Sequence, residues 1–208
     1  MNYLAKLLQE LRIIPVLTVN SAEDAIDVCR SLQAGGINVA EITLRTAAAW
    51  DAISAVKETL SDFYVAAGTI KTGQDIEKLA ALGGVAFAVS PGLSLEICDA
   101  ATENDIHLLP GVATPSELMA GLETGRQCFK LFPAEAVGGM ALLKSLASPF
   151  SEALFCPTGG VNPSNYQQYL SLSNVVAIGG SWMVAPELIH NQQWDQITEL
   201  SREAVTAA

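Results

Sequence analysis

Short apolar runs rich in β-branched residues alternate along this chain with longer stretches in which apolar residues recur every three or four positions. The runs IIPVLTV (13–19), INVAEITL (37–44), FYVAAG (63–68), VAFAVS (85–90), IHLLP (106–110), CFKLF (128–132), ALFCP (153–157) and VVAIGG (175–180) read as eight strands. The stretches between them read as amphipathic helices; the first, SAEDAIDVCRSLQAGG, has Ser21 as its N-cap and Gly35 as its stop. MNYLAKLLQELR (1–12) reads as an amphipathic helix rather than a signal peptide, and PELIHNQQWDQITELSREAVTAA (186–208) is long enough for one or two helices.

Strand and helix alternating in this way predict a parallel α/β sheet. Eight units with no break in composition predict that it closes into a (β/α)8 TIM barrel, a single domain over 1–208 with an N-terminal helix over 1–12. A doubly wound open sheet is the alternative, but its GxGxxG sign is absent: the first strand runs out into VNSAED. At 208 residues the chain is shorter than the usual barrel of about 250, so loops should be tight and function should sit on strand ends.

Half of the residues are hydrophobic, enough for a sizeable core, yet Gly, Pro or a charge interrupts every apolar stretch before the roughly 18 residues of a membrane span. The expected location is therefore the cytoplasm, with no membrane partner. A net charge of −11 opposes nucleic acid, although a small anion can still be held by a few placed cations and backbone N–H groups. Cys29, Cys98, Cys128 and Cys156 lie far apart in apolar segments and read as small hydrophobes rather than disulfides or zinc ligands. His107 and His190 are too separated for a metal cluster, so no metal is expected.

In a barrel, polar residues at the C-terminal ends of strands are the functional candidates. Here they are Glu41, Arg45, Thr69, Ser90, Lys130, Thr158 and Ser181. Period two along AEITLR puts Glu41, Thr43 and Arg45 on one face, which suits either a site or a salt bridge that merely holds the strand end. Lys130 alternates with Phe129 and Leu131 and should point inward, near Phe132. Desolvation lowers the pKa of a lysine and makes its neutral amine nucleophilic, as Schiff-base lysines require; the other reading is a structural pair with Glu41. The Gly pairs of PTGGVNPSNY and IGGSWM, at two consecutive strand ends, suit phosphate, since glycine lets backbone N–H groups approach an anion. SPGL and LPGVATPSE read as turns, Gly111 and Thr114 included.

The ordered set EITLRT, AGT, SPG, LPGVATPSE, FKLFPAE, CPTGG and IGGSW resembles the bacterial KDPG/KHG aldolases, from about residue 13 to 206. These are class I aldolases acting on 2-keto-3-deoxy-6-phosphogluconate. The resemblance implies a barrel, a homotrimer, no cofactor, and cleavage of a keto-acid phosphate to pyruvate and glyceraldehyde 3-phosphate. It implies Lys130 as the Schiff-base lysine and Glu41 as the proton-transferring base. It gives Arg45 and Thr69 the pyruvate carboxylate, with Pro91 and Phe132 shaping the pocket. Thr158 would contact substrate, and Gly159, Gly160, Gly180 and Ser181 would surround the phosphate. Two other readings remain: a phosphate-binding isomerase or decarboxylase in which Lys130 is only an electrostatic partner, and a non-catalytic phosphometabolite-binding protein.

Overall fold

The computed structural model describes residues 3–208; Met1 and Asn2, the start of the expected N-terminal helix, lie outside the described residues. That helix, α1 (Tyr3–Leu11), buries Leu4, Ala5, Leu7 and Leu8, the i, i+3, i+4 stripe that holds a helix against a core. The chain then alternates through β1 (Ile13–Leu17), α2 (Ala22–Ala34), β2 (Val39–Thr43), α3 (Ala49–Thr59), β3 (Tyr64–Gly68), α4 (Gly73–Leu82), β4 (Phe87–Val89) and α5 (Leu95–Glu103). β5 (Leu108–Leu109), β6 (Gly111–Val112), α6 (Pro115–Glu123), β7 (Cys128–Leu131), α7 (Gly139–Ala147), β8 (Leu154–Pro157), α8 (Tyr166–Leu170) and β9 (Ile178–Gly180) follow. The last helical pattern divides into α9 (Pro186–His190) and α10 (Trp194–Thr206). No described helix is long and apolar enough to cross a membrane.

Helix starts follow local chemistry. Ser21 accepts from the Asp24 amide, as expected of an N-cap. Thr72 with Asp75 and Thr114 with Glu117 form reciprocal capping boxes, so Thr114, read as a turn residue, is also the cap of α6. One apolar cluster, running from Leu4 to Ala204, fills the space between the strands and the helices.

The closed eight-stranded barrel is not what forms. The strands make two parallel sheets, a six-stranded one in the order β5-β4-β3-β2-β1-β9 and a three-stranded one in the order β6-β7-β8. The physical cause lies at two prolines. The expected single strand over 106–110 does not form as such: Pro110 has no N–H to give a ladder and the segment splits there, Leu108 and Leu109 pairing with β4 and Gly111 and Val112 with β7. At the other seam Pro157 ends β8, and only isolated bridges, Phe155 with Val175 and Thr158 with Gly179, reach toward β9. The result is a curled α/β fold whose C-terminal strand ends still converge on one side.

Candidate active site

Lys130 and Glu41 are the centre of that convergence. β7 carries Lys130 with Phe129 and Leu131 fully buried on its other face, so the inward direction expected from period two is the one observed. Lys130 Nζ lies 3.1 Å from Glu41 Oε1 and 3.3 Å from Oε2, and 5.3 Å from the centroid of the Phe132 ring. The two residues are 4% and 3% exposed, so they form a buried ion pair, not a lone ammonium in an apolar strand. Glu41 therefore faces Lys130 and not Arg45, which overturns the reading of a Glu41–Arg45 bridge at the strand end.

Gly68 makes this pairing possible. A Cβ there would stand 2.3 Å from Glu41 Oε1, so only glycine leaves the carboxylate its place beside the amine. The glycine of AAGT was visible in the sequence, but which side chain it made room for depended on the β2–β3 register, Ala66 opposite Glu41.

Arg45 sits beyond the end of β2, exposed, and its Nε donates to Thr69 Oγ1 at 3.2 Å. Thr69 has φ +63, the left-handed region, where a β-branched residue costs about 1–3 kcal/mol. Strain of that kind gathers at functional sites, and here it aims the hydroxyl at the guanidinium.

A cavity of about 260 Å³ opens above the pair, lined by Arg45, Lys130 and Phe132 on one side and by Thr158, Gly159, Gly160, Gly180 and Ser181 on the other. Four of the predicted site residues do not line it: Glu41, which contacts Lys130; Thr69, which contacts Arg45; and Ser90 and Pro91. Pro91 packs instead on the β6 backbone, where a Cβ on Gly111 would meet its carbonyl oxygen at 2.3 Å. Ser90 Oγ closes the same turn onto the Gly92 carbonyl at 2.8 Å.

At the glycine end, Gly159 and Gly160 have φ of +98 and +84, so both need glycine. The carbonyl of Gly160 is held by Asn162 Nδ2 at 3.0 Å and Asn165 Nδ2 at 3.1 Å. The helical elements after the two glycine pairs are short, α8 with five residues and a 3-10 turn, Trp182–Val184, with three. Groups that could donate to an anion at this end are loop N–H groups and the exposed Ser181 hydroxyl, rather than the N-terminus of a long helix.

Sequence reasoning missed Thr18 in the cavity wall, and read Gly179, the first glycine of IGGSWM, only as half of a glycine pair suited to phosphate. A Cβ on Gly179 would meet Thr158 Oγ1 at 2.3 Å, so this glycine, and not only Gly180, gives Thr158 its room. Beneath the pair, Cys156 stands opposite Lys130 in the β7–β8 register. Burial pushes the Cys128 and Cys156 thiols up to about 12, so both stay protonated, act as small hydrophobes and leave the amine without a competing nucleophile.

A family model described as KDPG and KHG aldolase matches residues 4–200. The chain belongs to that family. It is 45% identical over 196 residues to the KHG/KDPG aldolase of Escherichia coli K12, covering 94% of this chain and 92% of the relative. A crystal structure of KDPG aldolase from Legionella pneumophila, with pyruvate captured as a covalent carbinolamine intermediate, superposes with a TM-score of 0.93 at 42% identity, over 97% of this chain and 98% of that one. The Zymomonas mobilis KDPG aldolase with 3-phosphoglycerate superposes at 0.90 and 37% identity, over 98% and 96% of the two chains. Family membership accounts for the open seams as well: this chain shares its curled fold with those aldolases.

Proposed function

We propose that this chain is a class I aldolase that cleaves 2-dehydro-3-deoxy-6-phosphogluconate to pyruvate and glyceraldehyde 3-phosphate, and 4-hydroxy-2-oxoglutarate to pyruvate and glyoxylate. The observation that carries the reading is a lysine amine at the floor of a cavity, 3.1 Å from a buried carboxylate, with a guanidinium at one end and two glycine pairs at the other.

In this reading the substrate carboxylate pairs with Arg45 and the phosphate rests on Gly159, Gly160, Gly180 and Ser181, which sets the C2 ketone over Lys130. Glu41 Oε1 is placed to take a proton from the amine, which then adds to C2 and forms a carbinolamine. Loss of water, the proton supplied by Glu41, leaves an iminium that draws electrons from C3. Glu41, directly or through a water, removes the C4 hydroxyl proton as the C3–C4 bond breaks; the aldehyde departs and the electron pair enters an enamine. Protonation at C3 and hydrolysis release pyruvate and return the amine. Phe132 and Thr158 line the pocket around this sequence, Thr69 steadies Arg45, and Pro91 supports the neighbouring β6 backbone.

The test is to incubate the protein with pyruvate and borohydride and map the added mass. A reduced pyruvyl adduct on the Lys130 peptide is expected. Its absence across the pH range, with phosphate esters still bound, would favour the isomerase or binding-protein readings.

Assembly as a homotrimer in the cytoplasm is the remaining part of the proposal, and it rests on resemblance to the family. Light scattering on the purified protein is expected to report three times the 21.9 kDa chain mass, and a monomer mass would end the trimer reading.

A further inference from the structure

Thr18 lies just past β1, half-buried, with its side chain in the cavity wall. Its neighbour Thr43, on β2, donates its hydroxyl proton to the Leu17 carbonyl at 2.9 Å. A hydroxyl has one proton, and a carbonyl can only accept. The 2.8 Å contact between Thr18 Oγ1 and Thr43 Oγ1 must therefore be donated by Thr18. What Thr18 still presents to the cavity is a lone pair: the buried network below has made it an acceptor.

Its position selects what it meets. In the sheet order β9-β1-β2, Thr18 stands between Ser181, which follows β9, and Arg45, beyond β2. A ligand with its carboxylate at Arg45 and its phosphate at the glycine loops must pass Thr18 with the middle of its carbon chain. The donors available there on a sugar-acid phosphate are hydroxyl groups. Glu41 is engaged with the C4 hydroxyl, and Val16, the inward residue before Thr18, lies level with Glu41 and has no polar atom. Thr158, in the cavity wall just past β8, turns its hydroxyl back onto Cys156, 3.4 Å from the carbonyl and within hydrogen-bond reach of the thiol.

We propose that Thr18 is a specificity-determining residue, accepting a hydrogen bond from the substrate hydroxyl next to the phosphate-bearing carbon. The assignment rests on the aldolase reading above. A ligand without that hydroxyl leaves a desolvated acceptor unmatched, which is the strongest form of discrimination a neutral contact offers.

The experiment runs the reaction toward carbon–carbon bond formation. Pyruvate is supplied with glyceraldehyde 3-phosphate or with 3-oxopropyl phosphate, which has the same length but lacks the hydroxyl. Thr18→Val keeps the shape and leaves Thr43 its bond to Leu17, while Thr18→Ser keeps the acceptor. The ratio of kcat/KM for the two aldehydes is expected to fall roughly three- to tenfold in Thr18→Val, and to stay near the wild-type ratio in Thr18→Ser. An unchanged ratio in Thr18→Val, or an equal fall in both variants, would overturn the assignment. A wild-type protein that joins pyruvate to neither aldehyde would instead overturn the aldolase reading on which it depends.

Discussion

Replacing Lys130 with Met is expected to reduce aldol cleavage by about 10³-fold or more and, at the same time, to destabilise the fold. The first effect is chemical, since no other amine lines the cavity among the described residues and the electron sink is lost with the nucleophile. The second follows from burial. Glu41 is 3% exposed and its carboxylate contacts the amine at 3.1 and 3.3 Å. Removing one partner of such a pair leaves an uncompensated charge in the interior, at a cost of about 3–5 kcal/mol. For a chain of this size that lowers Tm by roughly 6–20 °C. Adding Glu41→Gln to Lys130→Met removes the stranded charge, so the double variant should recover most of the lost stability and none of the activity. Calorimetry on the two variants separates the effects. Equal melting of Lys130→Met and wild type would mean that the pair is not buried as described.

Glu41→Gln alone is expected to lower turnover by about 10²–10⁴-fold, the range associated with a positioned general base. The amide occupies the same volume beside Gly68 but cannot accept the C4 hydroxyl proton. Slow trapping of pyruvate on Lys130 should persist, because addition of the amine does not require C3–C4 cleavage. Steady-state rates beside borohydride trapping of the same sample test this directly. Wild-type turnover in Glu41→Gln would assign the proton transfer to another group and leave Glu41 as an electrostatic partner of the lysine.

The chain carries in its sequence the order of its elements, the inward direction of Lys130 and the chemistry of its strand ends. Each follows from a local rule: apolar periodicity sets strand or helix, alternation sets the face, and Ser21, Thr72 and Thr114 start helices with their own side chains. Contacts made through space were not legible in the same way. Whether Glu41 met Arg45 or Lys130 depended on how β2 and β7, 89 residues apart, curl toward one another. Closure of the sheet depended on Pro110 and Pro157, whose missing N–H groups matter only once ladders are adjacent. The acceptor on Thr18 exists only because Thr43 has already spent its proton on Leu17, a fact of hydrogen-bond direction that no spacing of residues records.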